Sequence, residues 1–258
     1  MKVKTIKQIK FSIFSLLMLT SLSSYQPVIA DSQSQVSRNV PKRQRRQIRL
    51  KKKQQSGDRR GRPTRRRGMS SRNDCPVTNI PLTALIPEKQ VGKVVEANPT
   101  FWLYIPYKSS KIPKGEFVLQ DEAHNDVYRT DFPMNKGEGI IGIKLAYRQS
   151  LEINKIYQWY FKLFCDDSKS TTPIFVRGWM QRVALESNQE KQLGTVSSPR
   201  QRAAFYAQNG IWYSALTELA KLRLSNPQNK SLAKDWLQLL NDIGLQDLSN
   251  KPILKEDN

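Results

Sequence analysis

The chain has one histidine and two cysteines in 258 residues, so a zinc centre of the usual four-ligand type has too few ligands. It holds no G-x-x-x-x-G-K-[ST] loop to cradle phosphates, no G-x-S-x-G nucleophile elbow and no H-E-x-x-H pair. It has no second apolar run after the one near its start, and none reaches the length of a permanent span. Acidic residues are nearly missing from residues 38–72, where Asp58 stands alone against 16 Lys and Arg. Such a segment has almost no apolar surface to bury and is expected to be a disordered spacer. No cofactor is implied by any motif.

The charge that is present is unevenly placed. The formal net charge is +21; Lys2, Lys4, Lys7 and Lys10 contribute +4 and residues 38–72 contribute +15, which leaves +2 for the remainder. The pI near 10.1 therefore belongs to two segments and does not describe a basic domain face. The four lysines precede an uncharged run from Phe11 to Leu22, and Val28-Ile29-Ala30 then offers small residues for a signal peptidase. The reading is a signal peptide over 1–30 cut between Ala30 and Asp31, hence an exported protein of the periplasm or cell envelope. An uncleaved amino-terminal anchor is the alternative. In an exported chain Cys75 and Cys165 are read as a disulfide, the other reading being two buried free thiols.

The basic spacer, residues 31–74, carries RRGRPTRRRG at 59–68. Clustered cations favour an anionic lipid or wall polymer, with Arg59, Arg60, Arg62, Arg65, Arg66 and Arg67 as the contacting residues. Nucleic acid is the partner only if the chain stays in the cytosol.

From Cys75 onward the period becomes two. Phe101, Leu103 and Ile105 alternate with Trp102 and Tyr104; Tyr157, Trp159, Phe161, Leu163 and Cys165 are two apart; Ile174, Val176, Gly178 and Met180 repeat the pattern. Six or so short strands over 75–187 point to an antiparallel β-sandwich, immunoglobulin-like in its strand spacing. The last sixty residues change to helical period. Ser198-Pro199 reads as a cap and first turn, Asn209-Gly210 and Asn226-Pro227 as stops, Ser231 as the cap of a third helix and Gly244 as its end. Tyr206, Gly210, Trp212, Ala215, Leu219 and Pro227 resemble a tetratricopeptide pattern that starts late. The expected class is α+β: a sandwich, a tetratricopeptide-like helical hairpin plus one capping helix over 198–250, and a disordered tail over 251–258. One such hairpin cannot bury its own apolar face, so the sandwich and third helix, or a partner, must cover it.

Two strings resemble known motifs without their context. Asp121-Glu122-Ala123-His124 spells a helicase box in a chain with no phosphate loop. Gly137, Gly139 and Gly142 fit G-x-G-x-x-G, yet a strand pattern follows where a dinucleotide site needs a helix, so this reads as a hairpin turn. Asp121, Glu122, Asp126 and Asp131, with His124, form the one dense group of ionisable residues in the β region. They are read as solvated, with a weak calcium site or a periplasmic hydrolase using Asp121, Glu122 and Asp126 as alternatives. Trp102, Tyr104, Tyr160 and Trp179 are either an exposed platform for a glycan or protein, or are covered by the helices.

The segments PLTALIPE at 81–88, NPTFWLYIPY at 98–107, YQWYFKLFCD at 157–166, VRGWMQRV at 176–183 and NGIWYSALTELAKLR at 209–223 resemble a cyanobacterial family known as domain of unknown function 928. The resemblance covers about 75–250 in order. It implies an envelope location in a photosynthetic bacterium and a β-rich module with a helical tail, and it carries no activity. The expected role is that of a non-enzymatic module binding an envelope protein or glycan.

Overall fold

The structure is a computed structural model that describes residues 47–51, 62–68, 75–108, 114–134, 137–165 and 172–255. Ala30, Asp31, the run from Phe11 to Leu22, Arg59 and Arg60 lie outside the described residues.

Among the described residues, eight strands precede four α-helices: β1 (Thr83–Ala84), β2 (Gly92–Val94), β3 (Thr100–Ile105), β4 (Lys114–Gln120), β5 (Asp126–Pro133), β6 (Gly139–Lys144), β7 (Ile156–Phe164), β8 (Ile174–Arg182), then α1 (Ser187–Gly194), α2 (Pro199–Gln208), α3 (Trp212–Ser225) and α4 (Lys230–Asn241). The fold is mixed α+β. The strands form two sheets, one of five strands in the order β2-β8-β7-β4-β5 and one of three in the order β1-β3-β6. One pair departs from the expected antiparallel pattern: β2 runs parallel to β8. Parallel neighbours need a long connection, and most of the β region lies between these two.

Period-two patterning accounts for the core between the sheets. Phe101 on β3 meets Phe117 on β4 at 4.7 Å and Trp159 on β7 at 5.4 Å between ring centroids. All six residues of β3 are buried, so both of its faces are covered. Its second face lies under the helices, where Trp102 Nε1 donates to Thr217 Oγ1 of α3 at 3.0 Å. The apolar face of the helices is thus covered within the chain itself.

Tyr213, one turn before Thr217, reaches from α3 to the sheets. It is 1 % exposed, its ring lies 6.0 Å from that of Phe101, and its hydroxyl accepts from Trp159 Nε1 at 2.8 Å. Burial pushes the Tyr213 hydroxyl far above its ordinary value, so it stays protonated. Two glycines make room for this packing. A Cβ at Gly92 would stand 2.4 Å from the Tyr213 ring, and one at Gly178 would stand 2.7 Å from Ile86 and Trp159.

Ser198 caps α2 by accepting from the Gln201 N–H, with Pro199 in the first turn. Trp212 Nε1 donates to the Leu85 carbonyl and ties the start of α3 to the small sheet. The cap of α4 is Asn229, which accepts from Ser231 and Leu232 N–H, and not Ser231 as its hydroxyl had suggested. The short helix α1 has no buried residue and so carries no apolar periodicity by which to find it. Cys75 and Cys165 form a disulfide, with 5.1 Å between Cα atoms, that joins the loop before β1 to the end of β7.

Three further expectations are corrected. The spacer read as disordered enters the fold in both of its described parts: Ile48 is fully buried, and the backbone of Arg65 pairs with Arg177 of β8 while that of Arg67 pairs with Thr83 of β1. Its backbone groups find partners that side-chain composition does not reveal. The described part of the tail read as disordered, residues 251–255, extends the small sheet, where Ile253 bridges to Ile140 and the Leu254 N–H donates to the Ile140 carbonyl at 2.8 Å. The turn at Gly137 and Gly139 does not close a hairpin, because β5 and β6 belong to different sheets.

Tyr213→Phe should destabilise the chain by about 1–3 kcal/mol in urea unfolding, since it leaves the buried Trp159 N–H unpaired. Gly92→Ala should cost about 1–3 kcal/mol by overpacking. Most of that cost should disappear in a Tyr213→Ala background, which a double-mutant cycle will read.

Candidate functional site

The outward face of the five-stranded sheet collects the aromatic and cationic side chains that the core excludes. In register across β4, β7 and β8, three rows run Glu116–Lys162–Phe175, Val118–Tyr160–Arg177 and Gln120–Gln158–Trp179. The extended segment 62–68, the arginine strand, adds a further position, since Arg65 and Arg177 exchange backbone bonds of 3.0 and 2.9 Å. Antiparallel residues so paired project from the same face of a sheet.

Guanidinium groups lie on the rings of this face. Arg65 sits 4.3 Å over the Phe175 ring and Arg62 sits 5.0 Å over Trp179. The Trp179 indole donates to the Pro63 carbonyl at 3.1 Å, which holds the strand to the sheet. Tyr160 donates its hydroxyl to Gln158 Oε1 at 2.6 Å and packs against Phe175 with ring centroids 6.4 Å apart.

Most charges on or beside this face are matched. Arg62 pairs with Glu122 at 2.8 Å, Lys114 with Asp131 at 3.0 Å, and Glu116 accepts from both Lys162 and Arg129 at 2.8 Å. Arg65 and Arg177 have no carboxylate partner among the described residues, and Arg177 Nε is buried without a hydrogen bond. Two adjacent cations with spare donors can take up a carboxylate, sulfate or phosphate oxygen.

The remaining arginines singled out from the sequence point elsewhere. Arg66 donates to the Ile243 carbonyl at 2.6 Å beyond α4, and burial lowers its pKa despite the nearby Glu88. Arg67 pairs with Asp247 at 2.7 Å. These two fasten the strand to the helical region and face away from the row formed by Arg65 and Arg177. No sequence signal separates the two pairs, because strand pairing alone decides which arginine faces which way.

The acid cluster does not converge. Asp121 Oδ1 accepts from the Ala123 and Asn125 N–H groups at 2.9 Å, and its second oxygen accepts from the Asn125 side chain at 3.0 Å. These bonds, that of the Asn125 side chain foremost, lower the Asp121 pKa and build the tight turn between β4 and β5, in which His124 takes a φ of 64°. Glu122 faces Arg62, while Asp126 accepts from Gln120 at 2.9 Å and from Arg129 at 2.8 Å. General acid–base chemistry needs carboxyl groups aimed at one point, and these are each engaged by a separate neighbour. Among the described residues no group of three or more His, Cys, Asp and Glu is placed to hold a metal ion. Of the four candidate platform aromatics, Trp102 and Tyr104 are buried at 2 % and 1 % exposure, leaving Tyr160 and Trp179 on the outer face.

A β-rich, disulfide-linked body with α3 packed against both sheets is the class this chain represents. The family model described as Domain of Unknown Function (DUF928) matches residues 63–253, and the chain belongs to that family. No curated protein matches it. The matched range begins within the arginine strand, so the strand pairing with β8 and β1 falls inside the family's domain.

Glu116 offers a pH test of the face. Burial raises its carboxyl, but the bonds from Lys162 and Arg129 outweigh burial and hold the group below its ordinary value of 4.5. A depressed folded value means that stabilisation is complete above the unfolded value and is lost as pH falls through the folded one. The stability advantage of the wild type over Glu116→Gln in urea should be greatest near neutrality and should shrink below pH 4.5. An advantage that does not change with pH would contradict the pairing.

Proposed function

We propose that the chain is an exported envelope protein that binds an acidic glycan through the arginine–aromatic face of its larger sheet and catalyses no reaction. Its β part is read as an immunoglobulin-like sandwich and α2–α3 as a tetratricopeptide-like hairpin. The observation that carries the binding reading is the pair Arg65 and Arg177, adjacent on one sheet face and unmatched by a carboxylate among the described residues. Flanking rings and amides suit a polymer of linked sugars, since a sheet face repeats its donors at strand spacing, about 4.8 Å. The Lys- and Arg-rich residues before Arg62 add a sequence-independent attraction to any anionic surface.

Export is supported by two features. Lysines precede the uncharged run Phe11–Leu22, and the disulfide suits an oxidising compartment. Among the described residues no helix is long and apolar enough to cross a membrane.

The test is retention on polygalacturonate resin across a salt series. The Arg65→Gln, Arg177→Gln double variant should lose about tenfold or more in affinity, while deletion of residues 52–60 should reduce mainly the salt-sensitive part. Binding that is unaffected by the double variant and insensitive to salt would remove this reading. Intact-mass analysis of secreted material checks export, with Asp31 expected as the first residue.

A further inference from the structure

Residues 47–51 alternate in burial as an extended strand does. Ile48 is fully buried and Leu50 is partly buried, while Gln47, Arg49 and Lys51 are exposed. The segment forms no ladder with either sheet. Its backbone is held by the helices instead: Ile48 N–H donates to Asp235 Oδ1 at 3.4 Å, Leu50 N–H to Asp242 Oδ2 at 2.8 Å, and Lys51 N–H to the Ala207 carbonyl at 2.9 Å. Those acceptors come from α4, from the residue that ends α4, and from the last turn of α2. Both helices pack on α3, so the segment lies in the groove between its two neighbours.

The groove is firmly constructed. Asp235 is 1 % exposed and takes a forked pair of bonds from Arg200 of α2, at 2.7 and 2.9 Å. Asp242 is steadied by Gln238, which donates to its other oxygen at 2.8 Å. Two carboxylates and a carbonyl therefore receive three of the five N–H groups of an extended peptide, while Ile48 and Leu50, two apart, turn inward. This is how a groove reads main chain and an anchor residue together. The bound stretch lies within RRQIRLKKK at 45–53, which is strongly basic, and two of its three seated N–H groups are taken by carboxylates. The family match begins at residue 63, so the groove lies within the matched range and its occupant lies outside it.

We infer that the groove between α2 and α4 is a recognition site for an extended, basic peptide anchored by isoleucine, and that residues 47–51 occupy it in cis as a displaceable plug. Ten residues in sequence separate the plug from Arg62, and covalent attachment at that separation gives it a local concentration on the order of millimolar. An outside peptide of the same chemistry must compete against that concentration.

The probe is a fluorescent peptide of residues 43–53, followed by anisotropy against the full chain. Ile48→Asp should open the groove and bind the peptide at least about tenfold more tightly than wild type does. A peptide with aspartate at the isoleucine position should not bind, and adding Asp242→Asn to the Ile48→Asp chain should weaken binding of the unaltered peptide. Equal binding by wild type and Ile48→Asp overturns the proposal, as does absence of binding by an Ile48→Asp chain that retains its disulfide and urea midpoint. Should that variant not fold, amide exchange on the wild type decides: Ile48, Leu50 and Lys51 should be protected, and exchange at free-peptide rates would overturn the seating.

Discussion

The bond from the Trp159 indole to the Tyr213 hydroxyl joins parts of the chain that no ladder connects. Trp159 lies on the inner face of the larger sheet, Tyr213 on a helix, and Phe101 of the smaller sheet touches both rings. A hydroxyl and an indole N–H buried at this depth must find each other or stay unsolvated, which penalises any arrangement that slides the helix relative to the sheets. Gly92 and Gly178 serve the same packing by removing the Cβ atoms that would meet the two rings. Helix and sheets therefore form one body, within the compact unit that spans Arg45–Asn258.

The arginine strand depends on that body and in turn stitches it. Arg65 hydrogen-bonds through its backbone to the larger sheet, and Arg66 and Gly68 do so to the smaller. The side chains divide accordingly, with Arg66 and Arg67 turned toward the helical end and Arg62 and Arg65 lying on aromatic rings. A guanidinium stacked on a ring keeps its edge donors free. A segment with the composition of a solvated tether thus becomes structural through its main chain while still presenting cations to solvent.

Much of the fold was legible in the sequence because burial imposes a period. Tyr157, Trp159, Phe161 and Leu163 announced β7, Ser198-Pro199 and Asn226-Pro227 bounded helices that are present, and the cysteine pair is bridged. What escaped notice carries little apolar signal or depends on distant partners. α1 buries nothing, the parallel partner of β2 is decided some ninety residues later, and residues 62–68 owe their order to backbone bonds. The candidate face was half visible. Tyr160 and Trp179 stood out as aromatics opposite the core, but the pairing of Arg65 with Arg177 follows only from register. The acid cluster was the most conspicuous group in the sequence and proves to be a turn held by its own side chains and by ion pairs.

The seam between β6 and the end of the chain has a practical corollary. Ile253 and Leu254 cover the Ile140 backbone, and Leu254 approaches within 2.7 Å of where a Gly139 Cβ would stand. Trimming only the final handful of residues would bare a raw strand border, the kind of edge along which chains add to one another and precipitate. Affinity handles for this protein belong at the other terminus of the body, where their attachment leaves that border sealed.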